Sequence, residues 1–463
     1  MQLKQTVAMK FLPLLTAGIA AARQAADLNI TRAEAEAYSC GDRCQKALAI
    51  GSAMDLAAVG KDFDFDFYET ASNFTTHLKP GEILKLQPLD PDTVNIKSGT
   101  TAFRIQYTSL DYNGSVVPVT GFIAFPQYPI HGDKYRLVTF AHGTIGLFAP
   151  CAPSNGPTLY DYDTWKSLVD RGYAVVATDY AGLGNGYTSH KYLFLPAHAN
   201  DVYYAQIAAR KLFGGSLTEK WMSAGHSQGG GAVWKLAESK YVKHDHDYLG
   251  TVALAPVSYV VDMFLGNKDG IEFSSYAPYV PMAVESVTPG YQEDFLTDIV
   301  RKRVELATKK QLCIDGMLSL PVDLTRDQLV NMAALDATRP ILENWQKRLA
   351  PAQGDSSPAP IFIVQGTNDT SVLAGTTLRA WKNSCGFGNS VHLRIYEEME
   401  HAPSVSASVP EWLTFIDNRF GSRSNDRTTT DFDAKCTLHT RRPFNLQYVK
   451  APDVYDLRKF LSV

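Results

Sequence analysis

Residues 221–237 read Trp221-Met222-Ser223-Ala224-Gly225-His226-Ser227-Gln228-Gly229-Gly230-Gly231-Ala232-Val233-Trp234-Lys235-Leu236-Ala237. The first four fit a strand. The residues after Gly229 fit a helix whose small side chains permit close packing on a sheet. Between them lies Gly-x-Ser-x-Gly, which in a strand–turn–helix setting places the serine on a sharp, strained corner with its hydroxyl clear of the sheet edge. Side chains two residues before or after would collide with that corner, so glycine is needed at Gly225 and Gly229. The pentapeptide alone is a weak signal, and the flanking strand and helix make it specific.

Outward from this corner, short apolar runs recur: Leu137 to Ala141, Tyr173 to Ala177, Thr251 to Ala255 and Ile361 to Val364, with a weaker alternating run from His392 to Tyr396. Runs apolar on both faces belong in a parallel sheet covered by helices. Helical patterns lie between them, at 201–213, 230–239 and 409–420. Two further strands, Phe103 to Tyr107 and Val116 to Phe125, flank the turn Asp111-Tyr112-Asn113-Gly114. The fold class is therefore α/β, a mostly parallel sheet flanked by helices. Residues 99–256 and 351–420 form its core, and 23–98 precede it as a leader with helical stretches. Residues 257–350 hold no clean strand and read as a helical cap, and 421–463 form a C-terminal extension.

A serine hydroxyl needs a base, and the base needs an orienting carboxylate. On this fold the chain order is Ser, Asp or Glu, then His. His392 lies inside a strand and His439 in the tail. His401 lies in a loop after the last core strand and is the expected base. Asp369 follows the strand at Ile361 through Gly366-Thr367-Asn368 and is the expected acid. An acyl-transfer site also needs donors for a developing oxyanion. The Gln228 N–H is one. The Thr144 N–H, in the loop His142-Gly143-Thr144-Ile145-Gly146, is the other, with Gly143 in reserve.

The N-terminus has a basic start (Lys4, Lys10), a short apolar run from Phe11 to Ile19 and small residues at Ala20-Ala21-Ala22, which predicts a signal peptide over 1–22. No later run is long and apolar enough to span a bilayer. Six cysteines, Cys40, Cys44, Cys151, Cys313, Cys385 and Cys436, fit three disulfides in an oxidising compartment. The four-residue spacing of Cys40 and Cys44 suits a local bridge, but sequence alone permits fifteen pairings. Asn29, Asn73 and Asn113 stand in usable glycosylation sequons; Asn368 stands in a fourth and is expected to be buried. With 44 Lys+Arg against 48 Asp+Glu and no basic stripe, nucleic-acid binding is set aside. The run His244-Asp245-His246-Asp247 reads as a solvated loop rather than a metal site. Gly182-Leu183-Gly184-Asn185-Gly186 lacks the dinucleotide-binding spacing. No metal or cofactor is implied.

Three motifs occur in order: His142-Gly143-Thr144-x-Gly146 leading to Cys151-Ala152-Pro153-Ser154, then Asp179-Tyr180-x-Gly182-Leu183-Gly184, then Gly225-His226-Ser227-Gln228-Gly229. Together they resemble the fungal secretory lipases (class Lip) of the α/β-hydrolase superfamily, over roughly residues 80 to 440. The resemblance implies an α/β-hydrolase core, a cap over an acyl pocket, and disulfides Cys151–Cys313 and Cys385–Cys436 that leave Cys40–Cys44 as a local loop. It implies a secreted serine ester hydrolase acting on a small-molecule or lipid ester. Some similar proteins are esterases that deacetylate trichothecenes or other secondary metabolites, so a specialised acetylesterase is the nearer alternative. A serine peptidase with the same triad is the more distant one.

Overall fold

The computed structural model describes residues 26–130, 132–266, 270–291, 295–421 and 434–450. The signal peptide expected over 1–22 lies outside them. One sheet of ten strands runs through the described residues: β1 (Ile83–Pro88), β2 (Thr101–Leu110), β3 (Val116–Phe125), β4 (Tyr135–Ala141), β5 (Ala174–Thr178), β6 (Leu217–His226), β7 (Tyr248–Leu254), β8 (Ile361–Gly366), β9 (Val391–Tyr396) and β10 (Cys436–Arg441). Their order across the sheet is β1-β2-β3-β5-β4-β6-β7-β8-β9-β10. The pairings β1–β2, β2–β3 and β3–β5 are antiparallel. Every pairing from β5 through β4 to β10 is parallel.

The apolar runs become strands because side chains alternate between two buried layers. In β5, Val175 and Ala177 enter the layer that holds Trp165, Trp412 and Phe415. Ala174 and Val176 enter the layer that holds Leu195, Val202 and Val233. Helices Trp165–Asp170 and His401–Arg419 therefore cover one face. Helices Leu195–Phe213 and Gln228–Ala237 cover the other. From β4 the chain moves to one side to form β5 and then crosses to the other to form β6. The loops after β4 and β6 diverge there, and such a divergence opens a crevice at the carboxyl ends of the strands.

Between β7 and β8 the described residues form seven helices, from Val260–Gly266 to Met332–Leu349, and no named strand. Elsewhere the arrangement of strands and helices differs from the sequence reading in three places. The sheet starts earlier, because β1 lies within the expected leader. It also ends later, because β10 comes from the expected C-terminal extension. His401 does not sit in a loop ahead of a helix: it is the first residue of the helix His401–Arg419. Pro403 falls in that first turn, where a missing N–H costs nothing, so the helix starts well before the residue at which its periodicity becomes visible. The cysteines pair as Cys40–Cys44, Cys151–Cys313 and Cys385–Cys436. The second ties the loop after β4 to the helical insertion, and the third ties helix Ala374–Gly386 to β10.

One buried acid makes stability depend on pH. Glu238, just past helix Gln228–Ala237, accepts the Ala352 N–H at 3.0 and 3.1 Å. Burial raises its pKa from 4.5 to about 7, against the opposing charge of Lys235. A carboxyl held above its unfolded value contributes fully below about pH 4.5 and loses that contribution as pH rises through about 7. Glu238→Gln keeps an acceptor for Ala352 and cannot ionise. Its melting point should match the parent at pH 4 and exceed it at pH 8, by up to about 3 kcal/mol of stability. Calorimetry across this range checks the sign, and equal melting points at pH 8 would contradict it.

Candidate active site

Strand β6 ends at His226 and a helix begins at Gln228, so Ser227 alone makes the corner. Its φ is 58° and ψ −117°, a conformation that costs a non-glycine residue energy and persists only where the surroundings enforce it. They do so here: the Ser227 N–H donates to the Leu254 carbonyl at 2.9 Å, and the Ser227 carbonyl accepts from Val257 at 3.0 Å. The flanking glycines are required by close backbone approach. A β-carbon on Gly225 would stand 2.3 Å from the Gly229 carbonyl oxygen, and one on Gly229 would stand 2.0 Å from that of Ala141.

The expected acid and the expected base sit at the carboxyl ends of two neighbouring strands, β8 and β9. The loops that follow are laced together: Thr367 N–H donates to Tyr396 at 3.0 Å and Asn368 N–H to Met399 at 3.0 Å. This brings Asp369 Oδ2 to 2.8 Å from His401 Nδ1. Asp369 is 3% exposed. Its other contacts are Gln365 Nε2 on Oδ2 at 2.8 Å, with the N–H groups of Ser371 (3.0 Å) and Val372 (2.7 Å) on Oδ1. With a carboxylate on Nδ1, a neutral His401 carries its proton there and leaves Nε2 bare. The neighbouring ring, His226, packs 4.7 Å from that of His401. Burial, and then the charge of His401, hold His226 well below the ordinary histidine value.

The loop after β4 closes on the corner from the other side: a β-carbon on Gly143 would be 3.3 Å from that of Ser227. Among the described residues no acceptor lies within hydrogen-bond reach of the N–H of Thr144 or of Gln228. Thr144 itself is held on both ends. Its Oγ1 is 2.9 Å from the Tyr192 hydroxyl, and its carbonyl accepts from the Tyr160 hydroxyl at 2.5 Å. A narrow, mostly apolar cavity opens beside Ser227. Thr144, Ser227 and Ser371 give it a polar edge. Val260, Met263, Phe264, Tyr276, Tyr279 and Val280, all from the insertion after β7, supply much of its apolar wall.

Other expected positions fall elsewhere. His392 is buried inside β9 between Ser390 and Thr437, away from the corner. In the run His244 to Asp247 both histidines are exposed, and Asp245 accepts the Trp221 indole N–H at 3.0 Å. Among the described residues no group of three or more His, Cys, Asp or Glu side chains is placed to hold a metal ion. Asn29, Asn73 and Asn113 are exposed. Asn368 is exposed too, contrary to the expected burial. The turn that aims Asp369 inward aims Asn368 outward, where its Nδ2 donates to Glu398 at 2.9 Å. Gln365, Tyr160 and Tyr192 were not legible as site residues, because each acts through a tertiary contact that no local motif announces.

The profile of the family described as secretory lipase matches residues 158–428. The chain belongs to the secretory lipase family. Among curated proteins none matches this chain significantly. Solved structures share its fold. Lipase A of Candida antarctica is 17% identical with a TM-score of 0.63, over 87% of this chain and 95% of that one. The closed state of the same lipase is 18% identical with a TM-score of 0.60, over 78% and 87%. A rice cell wall degrading esterase from Xanthomonas oryzae is 18% identical with a TM-score of 0.60, over 75% and 100%. The chain thus has the α/β-hydrolase fold, and its family supports a lipase or esterase hydrolase. Among its described residues no helix is long and apolar enough to cross a membrane.

Proposed function

We propose that this chain is an exported serine ester hydrolase that works through an acyl-enzyme. Ser227 Oγ attacks the ester carbonyl carbon while His401 Nε2 takes its proton. Asp369 holds the imidazole in the Nδ1–H tautomer and supports its charge. The Thr144 and Gln228 N–H groups receive the carbonyl oxygen as it becomes negative. The C–O bond to the alcohol breaks, and His401 returns the proton to the leaving oxygen. Water then repeats the cycle on the acyl-enzyme and frees Ser227.

The observation that carries this reading is the Asp369–His401 bond of 2.8 Å. It stands at the carboxyl ends of β8 and β9, while a strained serine at the end of β6 borders an apolar cavity. The insertion 257–350 acts as a cap, because it supplies the apolar side of that cavity. A hydrophobic acyl or alcohol group is the natural occupant. Export fits three disulfides, a bond type that persists in oxidising compartments. The exposed Asn29, Asn73 and Asn113 are the proposed glycan sites.

A series of p-nitrophenyl esters from acetate to palmitate tests the function. Hydrolysis that climbs with chain length supports a lipase on hydrophobic esters. A sharp maximum at acetate narrows the reading to an acetylesterase, with acetylated natural products as the next substrates. No hydrolysis of any ester, together with cleavage of peptides, would contradict the proposal.

A further inference from the structure

Beneath the first turn of helix Gln228–Ala237 lies a buried layer of polar rings that the mechanism above leaves unused. Gln228 is 1% exposed. Its carboxamide nitrogen is 3.2 Å from Nε2 of His190 and 3.2 Å from Nε2 of His198. The two imidazoles stack with centroids 5.0 Å apart, and Tyr180 packs against both. The Tyr180 hydroxyl then donates to the His142 carbonyl at 2.8 Å, on the Gly143–Thr144 side of the corner. One layer thus supports both sides of the oxyanion hole.

The protons decide which group donates. His190 Nδ1 is 3.1 Å from the Ala181 carbonyl and must donate to it. Burial, followed by the charges of His142 and Lys191, holds His190 down at about 3, so the ring is neutral and its Nε2 is a lone pair. Burial also holds His198 well below the ordinary histidine value, so that ring is neutral too, and its Nδ1–H tautomer presents a lone pair at Nε2. A carboxamide nitrogen carries two N–H groups, and two imidazole lone pairs stand ready to receive them. The flipped amide would set its oxygen against both Nε2 atoms. It would then require a charged His190 in a site shielded from water.

We propose that His190 and His198 are positioning residues of the oxyanion hole: by accepting both N–H groups of the Gln228 carboxamide they fix the residue whose main-chain N–H meets the oxyanion. The proposal rests on the serine-hydrolase reading above. Ser227 is strained, and the peptide that follows it has no main-chain acceptor for the Gln228 N–H. The carbonyl end of that peptide is held by the N–H groups of Val257 and Gly231 at 3.0 and 3.1 Å, and the anchored Gln228 side chain holds its N–H end. An oxyanion donor acts only in the transition state, so loosening it lowers kcat and spares KM. Deleting such a donor costs about 10²–10³ in rate, so a loosened one should cost about 10- to 100-fold.

The experiment uses His198→Leu, Gln228→Met, the double variant and His198→Gln, whose side-chain oxygen replaces the lost lone pair. Each is assayed for kcat and KM on a p-nitrophenyl ester. Each is also assayed for inhibition by a trifluoromethyl ketone, to whose carbonyl carbon Ser227 Oγ adds, the proton passing to His401 and the oxygen becoming the oxyanion. Melting temperature is recorded for all, with Ser227→Ala as control. The proposal expects His198→Leu and Gln228→Met each to lose about 10- to 100-fold in kcat, with KM within twofold. The ketone should weaken by the same factor, the double variant should lose no more than either single one, and His198→Gln should recover most of the rate. Full kcat in a folded His198→Leu or Gln228→Met overturns it. So does a loss confined to KM, or one that multiplies in the double variant. If His198→Leu fails to fold, Gln228→Met and His198→Gln decide alone. A Ser227→Ala variant at parental rate would instead overturn the serine-hydrolase reading.

Discussion

Ser227→Ala lowers kcat on ester substrates by about 10⁴- to 10⁶-fold and leaves the melting temperature within a few degrees of the parent. The rate falls because no other group near the corner replaces the nucleophile. His226 is buried and its ring faces His401. Some rate over water remains, since the oxyanion donors and the cavity still bind substrate; in serine hydrolases this residue of catalysis is typically 10³–10⁴. Folding is spared because the backbone bonds to Leu254 and Val257 do not involve Oγ. Steady-state rates and thermal melts on the same preparation check both halves.

Asp369→Asn is the second large effect, about 10⁴-fold in kcat. The four donors around Asp369 explain why the change is severe. Ser371 and Val372 both offer N–H groups to Oδ1, so an asparagine must set its oxygen there. Its NH₂ then faces His401 Nδ1, where Oδ2 stood. Two donors cannot share a hydrogen bond, so the imidazole moves its proton to Nε2, the atom that must accept one from Ser227. The NH₂ also meets the Gln365 amide, which donates to Oδ2 and to the Val372 carbonyl. Asp369→Asn should therefore lose rate at KM close to parental, which a full kinetic titration of ester measures. A loss below tenfold would contradict the assigned role.

The sequence exposed the parts of this architecture whose cause is local. Gly225 and Gly229 are legible because backbone approaches of 2.0–2.3 Å permit no other residue. The central strands are legible because both faces are buried, which leaves an unbroken apolar run. Strand β1 was hidden for the opposite reason. It lies at the edge and carries Lys85, Gln87 and Pro88, residues that edge strands tolerate and central ones do not. Strand β10 reads Cys-Thr-Leu-His-Thr-Arg, half exposed and without a clear apolar face, and only Cys436 hinted at its attachment. Pro403 and Pro410 both lie inside helix His401–Arg419 and disguised its first turns as a loop. His190, His198 and Tyr192 come from the segment between β5 and β6 and meet the corner only through tertiary packing, so nothing beside them in sequence marks their contact with Gln228 or Thr144.

Covalent capture tests the central claim most directly. The protein is treated with a fluorophosphonate, which forms a bond from serine oxygen to phosphorus and releases fluoride. Residual esterase activity is followed while the adduct is mapped by peptide mass spectrometry. The account predicts one equivalent of label on the peptide that contains Ser227, bound in step with loss of activity and slowed by competing ester. Label on another residue, or complete resistance in a protein that hydrolyses esters, would contradict it.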